Sequence, residues 1–432
     1  YKESRLPGIA GVIEEWADER AMFDTPELNR AVALLFIAMM SRNRFTVGGT
    51  DAALNLYILA VAGTGKGKEA ARQSLMALLN EHLPDEVDDT GTTPITNSTC
   101  VERVASGPGL SNMLTRRKDR LWLPDEFGLY LSAVEKQGSN EKDVIAAFLG
   151  AVSRARGQMG AIQYSRSERS ADPVNKPFLS ALATTNPETM AKAMEGALFV
   201  ENGMINRSVP VVCSPQGSRR RQVDTQKPNP LQINTWRSEL ERFESSADTP
   251  HRIPLTPEAD DYLWEFALWC DKQEEAALWV RSYENALKLS GLVALGALSD
   301  GAPLEVTLPI AEWAVSAVKE GISQFRDMIE ENTGRNRAVE REWTRIEKKI
   351  LSLQGEKPKR VVLHPGSQAE KLFKEGYVFR SDVTHGLKKG AKSWKEQIAD
   401  LVLQDRVIEV EAKNNPDSKF PASMLAVAGI PK

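Results

Sequence analysis

Histidine and cysteine are scarce in this 432-residue chain, at four and three residues. Cys100, Cys213 and Cys270 stand far apart, with no CxxC pair and no neighbouring histidine cluster. That spacing argues against a disulfide framework and a Cys/His zinc site, and it fits a reducing cytoplasm. Long apolar runs are missing as well. The longest, Ala31 to Met40, is about half of a membrane span, so no membrane partner is expected. No leader pattern is read at the amino end. A start at Tyr1 without methionine is what an excised piece of a longer chain would show. Neither sign of charge dominates. With a net charge of −4, any nucleic-acid contact must come from local basic patches. Internal repeats and low-complexity tracts are also absent.

What remains is the composition of a globular protein, 41% hydrophobic and 26% charged, long enough for two or three domains. Residues 1–45 read as helical, with Thr25 placed to cap a helix and Pro26 suited to its first turn. Residues 46–225 alternate apolar strand-like runs with helical stretches, which predicts an α/β sheet. Its strands are expected at Leu54–Val61, Arg120–Leu123, Phe178–Thr184 and Val209–Cys213. Residues 226–355 turn helical, with Trp264, Leu268, Trp269 and Leu278 on apolar stripes and a charged, solvated connector at the end. Residues 356–432 form a small final unit.

The first expected strand breaks into Gly63, Thr64, Gly65, Lys66, Gly67 and Lys68, followed by a helical stretch from Glu69 to Asn80. A buried strand, a glycine loop and a helix N-terminus make a cradle for phosphates. Glycine lets the loop approach an anion closely, and Lys66 is read as the point charge that reaches it. The strict pattern GxxxxGK[ST] is not met. Ala60 or Ala62 stands in place of its first glycine, and Gly67 replaces the hydroxyl residue that holds Mg²⁺.

Two further strand ends extend the pattern. The run Arg120–Leu123 leads into Asp125-Glu126, two adjacent acids able to serve a metal ion and an attacking water separately. The run ending Thr184-Thr185 leads into Asn186, which can hydrogen-bond a terminal phosphate or simply start an Asn-Pro turn. Arg207 follows a glycine turn ahead of the last strand, where an arginine can serve phosphoryl transfer from a neighbouring subunit or form a surface ion pair.

Basic side chains cluster in two places. Arg154, Arg156, Arg166, Arg169 and Lys176 are interleaved with Gly157, Gly160 and Tyr164, a composition suited to a hairpin that tracks phosphates and stacks a base. Lys388, Lys389, Lys392 and Lys395 line a helix–turn–helix–strand pattern that suggests a winged-helix-like unit, with Ser381 as a cap.

The ordered set GTGKGK, LWLPDEFG, SALATTNPE and NGMINRSV resembles the helicase-type P-loop ATPases of phages and mobile elements. Within these it is similar to the domain found beside primase domains, related to superfamily 3 and AAA+ helicases. The likeness spans about residues 1 to 320. It implies an α/β P-loop NTPase core with amino-terminal helices, a helical lid and the winged-helix-like unit. It implies ATP and Mg²⁺ as cofactors, with Lys66 on phosphate, Asp125 on the metal and Glu126 as base. Asn186 becomes a γ-phosphate sensor, Arg207 a finger acting in trans and Arg281 a second sensor on the lid. Single-stranded and forked DNA, a hexameric ring, a primase partner and the cytoplasm of a bacterial host follow as expectations. The departure at Gly67 leaves the hydroxyl ligand to water or Thr64 and predicts slowed hydrolysis. A nucleotide-switched DNA-binding or helicase-loader protein is the alternative, and a kinase-like phosphotransferase a third reading.

Overall fold

The computed structural model describes residues 5–83, 98–134, 140–161, 170–194, 203–213, 220, 228–243, 245–273 and 276–332. Of the carboxyl-terminal part it describes 345–354, 356–359, 361, 363–385, 398, 401–402, 407–412 and 422–427. The chain divides into two compact units, residues 1–332 and 333–432. The expected segments at 1–45, 46–225 and most of 226–355 therefore share one unit, and the reason lies in two helices.

Helix α1 (Gly8–Arg20) is followed by α2 (Pro26–Ser41), in which every residue from Leu28 to Ser41 is buried. A helix apolar all round belongs in a core, and this one holds the chain's longest apolar run. Its one buried cation, Arg30, donates from Nε to Glu14 Oε1 of α1 at 2.8 Å, and Glu14 Oε2 accepts from Leu6 N at 3.0 Å. Burial raises the Glu14 carboxyl above its ordinary range despite this arginine. Thr25 occupies the N-cap position of α2, but its hydroxyl turns to Phe23 O instead of capping the helix.

The central sheet contains β2 (Tyr57–Ala62), β3 (Cys100–Val101), β4 (Asp119–Trp122), β7 (Phe178–Thr185) and β8 (Val209–Cys213), after an edge piece β1 (Phe45–Val47) outside it. Its order is β3-β4-β7-β2-β8 and every pairing is parallel. The chain leaves β2, enters at the far edge as β3, steps back through β4 and β7, then crosses β2 to add β8. Strands β2 and β7 are buried on both faces, which is why neither alternates apolar with polar residues; β2 is wholly apolar but for Tyr57, and β7 buries Ser180, Thr184 and Thr185 among its apolar residues. Pro124 ends β4 without breaking the ladder, because its carbonyl still accepts from Thr184 N at 3.0 Å.

Connecting helices are α3 (Lys68–His82), α4 (Gly107–Arg116), α5 (Phe127–Val134), α6 (Asn140–Ser153) and α7 (Pro187–Met194). Between α6 and β7 lies a short antiparallel pair, β5 (Gln158–Met159) with β6 (Val174–Asn175). After β8 come α8 (Pro230–Glu241), β9 (His251–Ile253) paired with β1, α9 (Pro257–Cys270), the single turn α10 (Ala276–Trp279), α11 (Ser282–Ala297) and α12 (Leu308–Asn332). Helix α11 is buried almost throughout and joins the same core as α2. On α9 the buried side is Ala259, Leu263, Phe266 and Cys270, whereas Trp264 and Leu268 face outward, a correction to the expected apolar stripe.

The second unit holds α13 (Gln368–Lys374), β10 (Val378–Phe379), α14 (Arg380–His385), β11 (Val407–Ala412) and β12 (Ala422–Val427). Its three strands form an antiparallel sheet in the order β10-β12-β11. Ile346, Ile350 and Leu353, read as part of a solvated connector, are buried in this unit's core. Ser381 lies inside α14, so it is not the expected cap. No helix among the described residues is long and apolar enough to cross a membrane.

Candidate functional site

Strands β2, β7 and β4 are adjacent and parallel, so the loops leaving their carboxyl ends open on one edge. In a sheet whose strand order reverses around β2, that edge is where ligands bind. The loops leaving these three strands hold residues 63–67, Asn186 and Asp125-Glu126 respectively.

The glycine loop ends where α3 begins, and Gly67 is the N-cap of that helix, with φ +96°. Gly65 has φ +71° and open space where a Cβ would point. No side chain caps α3. Its first-turn N–H groups therefore lack an intrahelical acceptor and face outward, as an anion site requires. The two lysines part company here. Lys66 lies with its ammonium 4.8 Å from the Phe23 ring centroid. Lys68, the first residue of α3, is buried and its Nζ donates to Ala62 O at 2.9 Å, folding back across the loop. Burial lowers the Lys68 pKa, and Glu126 and Asp125 oppose that fall.

The acids form a connected network. Asp125 Oδ1 accepts from Thr184 Oγ1 at 2.8 Å and from Glu126 N at 2.9 Å. Asp125 Oδ2 lies 3.6 Å from Arg72 Nη1. Arg72 is a buried side chain of α3 that also pairs with Glu69 and Glu102 and donates to Leu123 O. Glu126 Oε2 accepts from Asn186 Nδ2 at 3.2 Å. Asn186 Oδ1 in turn accepts from Thr189 N and Thr189 Oγ1, at 2.8 and 2.6 Å. Asn186 thus caps α7 with its oxygen and holds Glu126 with its amide. Glu126 has φ +47°, a left-handed backbone that costs a non-glycine residue about 1–2 kcal/mol. Strain of this kind persists where surrounding contacts over-determine it, and it concentrates at functional positions.

Beside the loop, a cavity of about 530 Å³ is lined by Asp24, Pro26 and Glu27 at the start of α2, by Val212 and Cys213 at the carboxyl end of β8, and by Gln324, Asp327, Met328 and Glu331 of α12. Its size suits a small molecule. Burial pushes the Cys213 thiol up.

Two expected site residues lie elsewhere. Arg207 precedes β8 and sits at the amino edge of the sheet, about 20 Å from the loops at one strand's length plus its flanks. Its Nε donates to Ser153 Oγ and its Nη1 to Gly203 O, both at 2.8 Å. Arg281, expected as a second sensor on the lid, stands immediately before α11 near Arg207. Asn285, one turn along α11, donates to Asn206 O at 3.3 Å and Ser208 O at 3.0 Å, which fixes that placement.

Of the basic cluster, Arg154 is exposed next to the β5–β6 pair. Arg156 is not available to track phosphates: its Nη1 donates to Asn43 O, Asn43 Oδ1 and Ala247 O. Lys176 is likewise engaged by Asp248 at 2.6 Å. Tyr164, Arg166, Arg169, Lys388, Lys389, Lys392 and Lys395 lie outside the described residues. Sequence reasoning missed Arg72, Thr184 and Thr189. Arg72 carried a signal, since it follows Lys68 by four residues and so shares its helix face.

Among the described residues no group of three or more His, Cys, Asp or Glu comes together to hold a metal ion. A cation that arrives on phosphates needs no such cage, because Mg²⁺ takes one or two carboxylates and completes its shell with phosphate and water. Asp125, held by Thr184 and Arg72 at the loop's edge, fits that requirement. No protein-family model matches this chain, and no curated protein matches it.

Proposed function

We propose that this chain is a P-loop ATPase of the AAA+/superfamily 3 type, working as a ring-forming DNA helicase or translocase in replication of a phage or mobile element. One observation carries the reading: a glycine loop with a buried lysine, an Asp-Glu pair and an asparagine converge on the carboxyl ends of three adjacent parallel strands. The strand order, with β2 between β7 and β8, supports the same fold assignment.

Within that reading the phosphate lysine is Lys68 rather than Lys66. Lys68 follows Gly67 at the start of α3, which aligns Ala62 with the first glycine of GxxxxGK[ST] and Glu69 with its hydroxyl residue. Gly67 then keeps a glycine role, and the departure from the pattern moves to Ala62 and Glu69. Loop N–H groups and Lys68 hold the phosphates of ATP, and the cavity beside α2 and α12 takes the nucleoside. Asp125 would hold Mg²⁺, which would supply charge neutralisation at the phosphates. Glu126 accepts the proton of the attacking water. Asn186 orients Glu126 through one amide hydrogen and offers the other to a γ-phosphate oxygen. Arg207, remote from its own loop, serves the site of the next subunit.

The antiparallel β5–β6 pair, placed just before β7 with Arg154 beside it, supports a DNA-contacting element at this point of the chain. The antiparallel sheet and helices of the second unit support its reading as a winged-helix-like module. A nucleotide-switched loader that moves no strand is the second reading, favoured by Glu69 where a hydroxyl is usual. Phosphate release with and without single-stranded DNA, followed by strand displacement on a forked duplex, tests both. DNA-stimulated hydrolysis without displacement selects the loader, and absence of hydrolysis rejects the ATPase.

A further inference from the structure

Helix α9 turns a tryptophan away from the core. Its buried side is Ala259, Leu263, Phe266 and Cys270. At 3.6 residues per turn, Trp264 and Leu268 fall near the opposite pole and, four positions apart, lie side by side. Trp264 is 59% exposed and Leu268 44%. Acids border this pair on both flanks, Asp260 and Asp271 on one, Asp261 and Glu265 on the other, and all four are exposed. None of the four meets a cation in an ion pair among the described residues. Residues 257–275 carry seven acids and one cation, Lys272. Burial first, then Glu312 of α12 and Glu265, raise the Tyr262 pKa, so α12 adds a carboxylate to this side. The cation that α12 brings to α9, Lys319, is taken up by the rings of Trp269 and Phe266, 4.2 and 5.3 Å from their centroids.

We propose that the outer face of α9 is a docking site for a basic amphipathic helix of a partner protein, which lays its apolar side on Trp264 and Leu268 and its lysines and arginines against the flanking acids. The face shares no residue with the candidate nucleotide site, and its use does not depend on ATP. Adjacent apolar side chains rimmed by charge have the form of an interaction site. Tryptophan is the residue type that most often anchors one, and apolar anchors one turn apart match the stripe of a second helix. Charge complementarity selects the occupant. Four unpaired carboxylates repel the phosphates of a nucleic acid and the headgroups of an anionic membrane, and they attract lysine and arginine. An arginine of the partner can also lie over the Trp264 ring. The same face of a second copy is a poor occupant, because a two-fold contact would set acids against acids.

Fluorescence anisotropy with the full chain tests this, using as probe a labelled amphipathic helical peptide of leucine and lysine. A scrambled peptide of the same composition and a leucine–glutamate peptide are its controls. The leucine–lysine helix should bind, and more weakly as salt rises. Trp264→Ala should weaken it by about 30-fold, the loss of a hot-spot side chain, with the thermal melt unchanged because the residue is exposed. Asp261→Lys with Glu265→Lys should lose the leucine–lysine helix and gain the leucine–glutamate one. Wild-type affinity in Trp264→Ala, or equal binding of the scrambled peptide, overturns the proposal, since attraction is then diffuse charge alone. Two further arms reject it in favour of another occupant. Loss of single-stranded DNA binding in Trp264→Ala would give the face to nucleic acid. Self-association in sedimentation that Trp264→Ala abolishes would give it to a second copy.

Discussion

Replacing Lys68 and Lys66 by alanine, one at a time, separates two ways of laying the same glycine–lysine repeat on a phosphate. Lys66 rests against Phe23, a cation–π contact of about 0.5–1 kcal/mol at an exposed site. Losing it should weaken ATP binding by at most about fivefold, even if the whole contact serves to shape the loop. Lys68 Nζ lies 2.9 Å from Ala62 O with Asp125 and Glu126 acting on its charge, so it stands between the loop and the acids. A hydrogen bond to a charged group contributes about 1.5–3 kcal/mol, so Lys68→Ala should raise Kd for ATP by about 10- to 150-fold. Hydrolysis should fall further, because charge on the transferred phosphoryl group is greatest in the transition state. The fold should survive, since the hydrogen-bond partner stripped among the described residues is the neutral carbonyl of Ala62 and a desolvated charge is removed. Titration with a fluorescent nucleotide, phosphate release and a thermal melt measure the three quantities. Strong loss of binding in Lys66→Ala with near-normal binding in Lys68→Ala would refute the register.

Glu126→Asn should abolish hydrolysis yet raise stability by up to about 1 kcal/mol in urea unfolding, because asparagine tolerates the left-handed φ that glutamate adopts under strain. A less stable variant would mean the backbone there carries no strain. Arg30→Ala leaves Glu14 buried without its cation and should cost about 3–5 kcal/mol by the same method, and a loss under 1 kcal/mol would contradict the buried pair. Gly203→Ala should displace Arg207 and depress hydrolysis toward the Arg207→Ala level while ATP affinity stays at wild type. On Glu284, burial works to raise the carboxyl, but Lys288 and Arg281 prevail and hold it below its ordinary value. Its stabilisation is therefore complete above the ordinary carboxylate pKa and is lost as pH falls through the depressed value, so Glu284→Gln should flatten the acid limb of a stability–pH profile.

The main strands were legible because a strand buried on both faces cannot alternate. Phe178–Thr185 and Val209–Cys213 match the apolar runs to within a residue. Cys100–Val101 escaped notice because two residues at a sheet edge carry no period at all. Pieces such as Phe45–Val47 and His251–Ile253 escaped too, since what makes them strands is a partner about 200 residues away. Trp264 misled for a different reason. An aromatic on a helix reads as core, yet on α9 the face that packs is set by Ala259, Leu263, Phe266 and Cys270, spaced four, three and four apart, and Trp264 falls off that stripe. Ile346, Ile350 and Leu353 were hidden by the charge around them, although their spacing of four and three places them on one buried face.

At the candidate site, residue type was legible and direction was not. Asp125, Glu126 and Asn186 follow strand ends, and strand ends on adjacent parallel strands must meet, so their convergence was a consequence of the pattern. Whether Arg281 faces its own loop or the opposite edge depends on where α11 docks, and the bonds of Asn285 that decide it join segments nearly 80 residues apart. The lysine register shows the same limit at close range. In GTGKGK each lysine follows a glycine, so both satisfy the local pattern equally well. Only the start of the helix separates them, because a phosphate lysine must leave the first turn, where its own helix's free N–H groups already point at the anion. Gly67 at φ +96° sets that start one residue before Lys68. In the proposed register, the glycine that departs from the motif when Lys66 is its lysine becomes the motif's own glycine before Lys68.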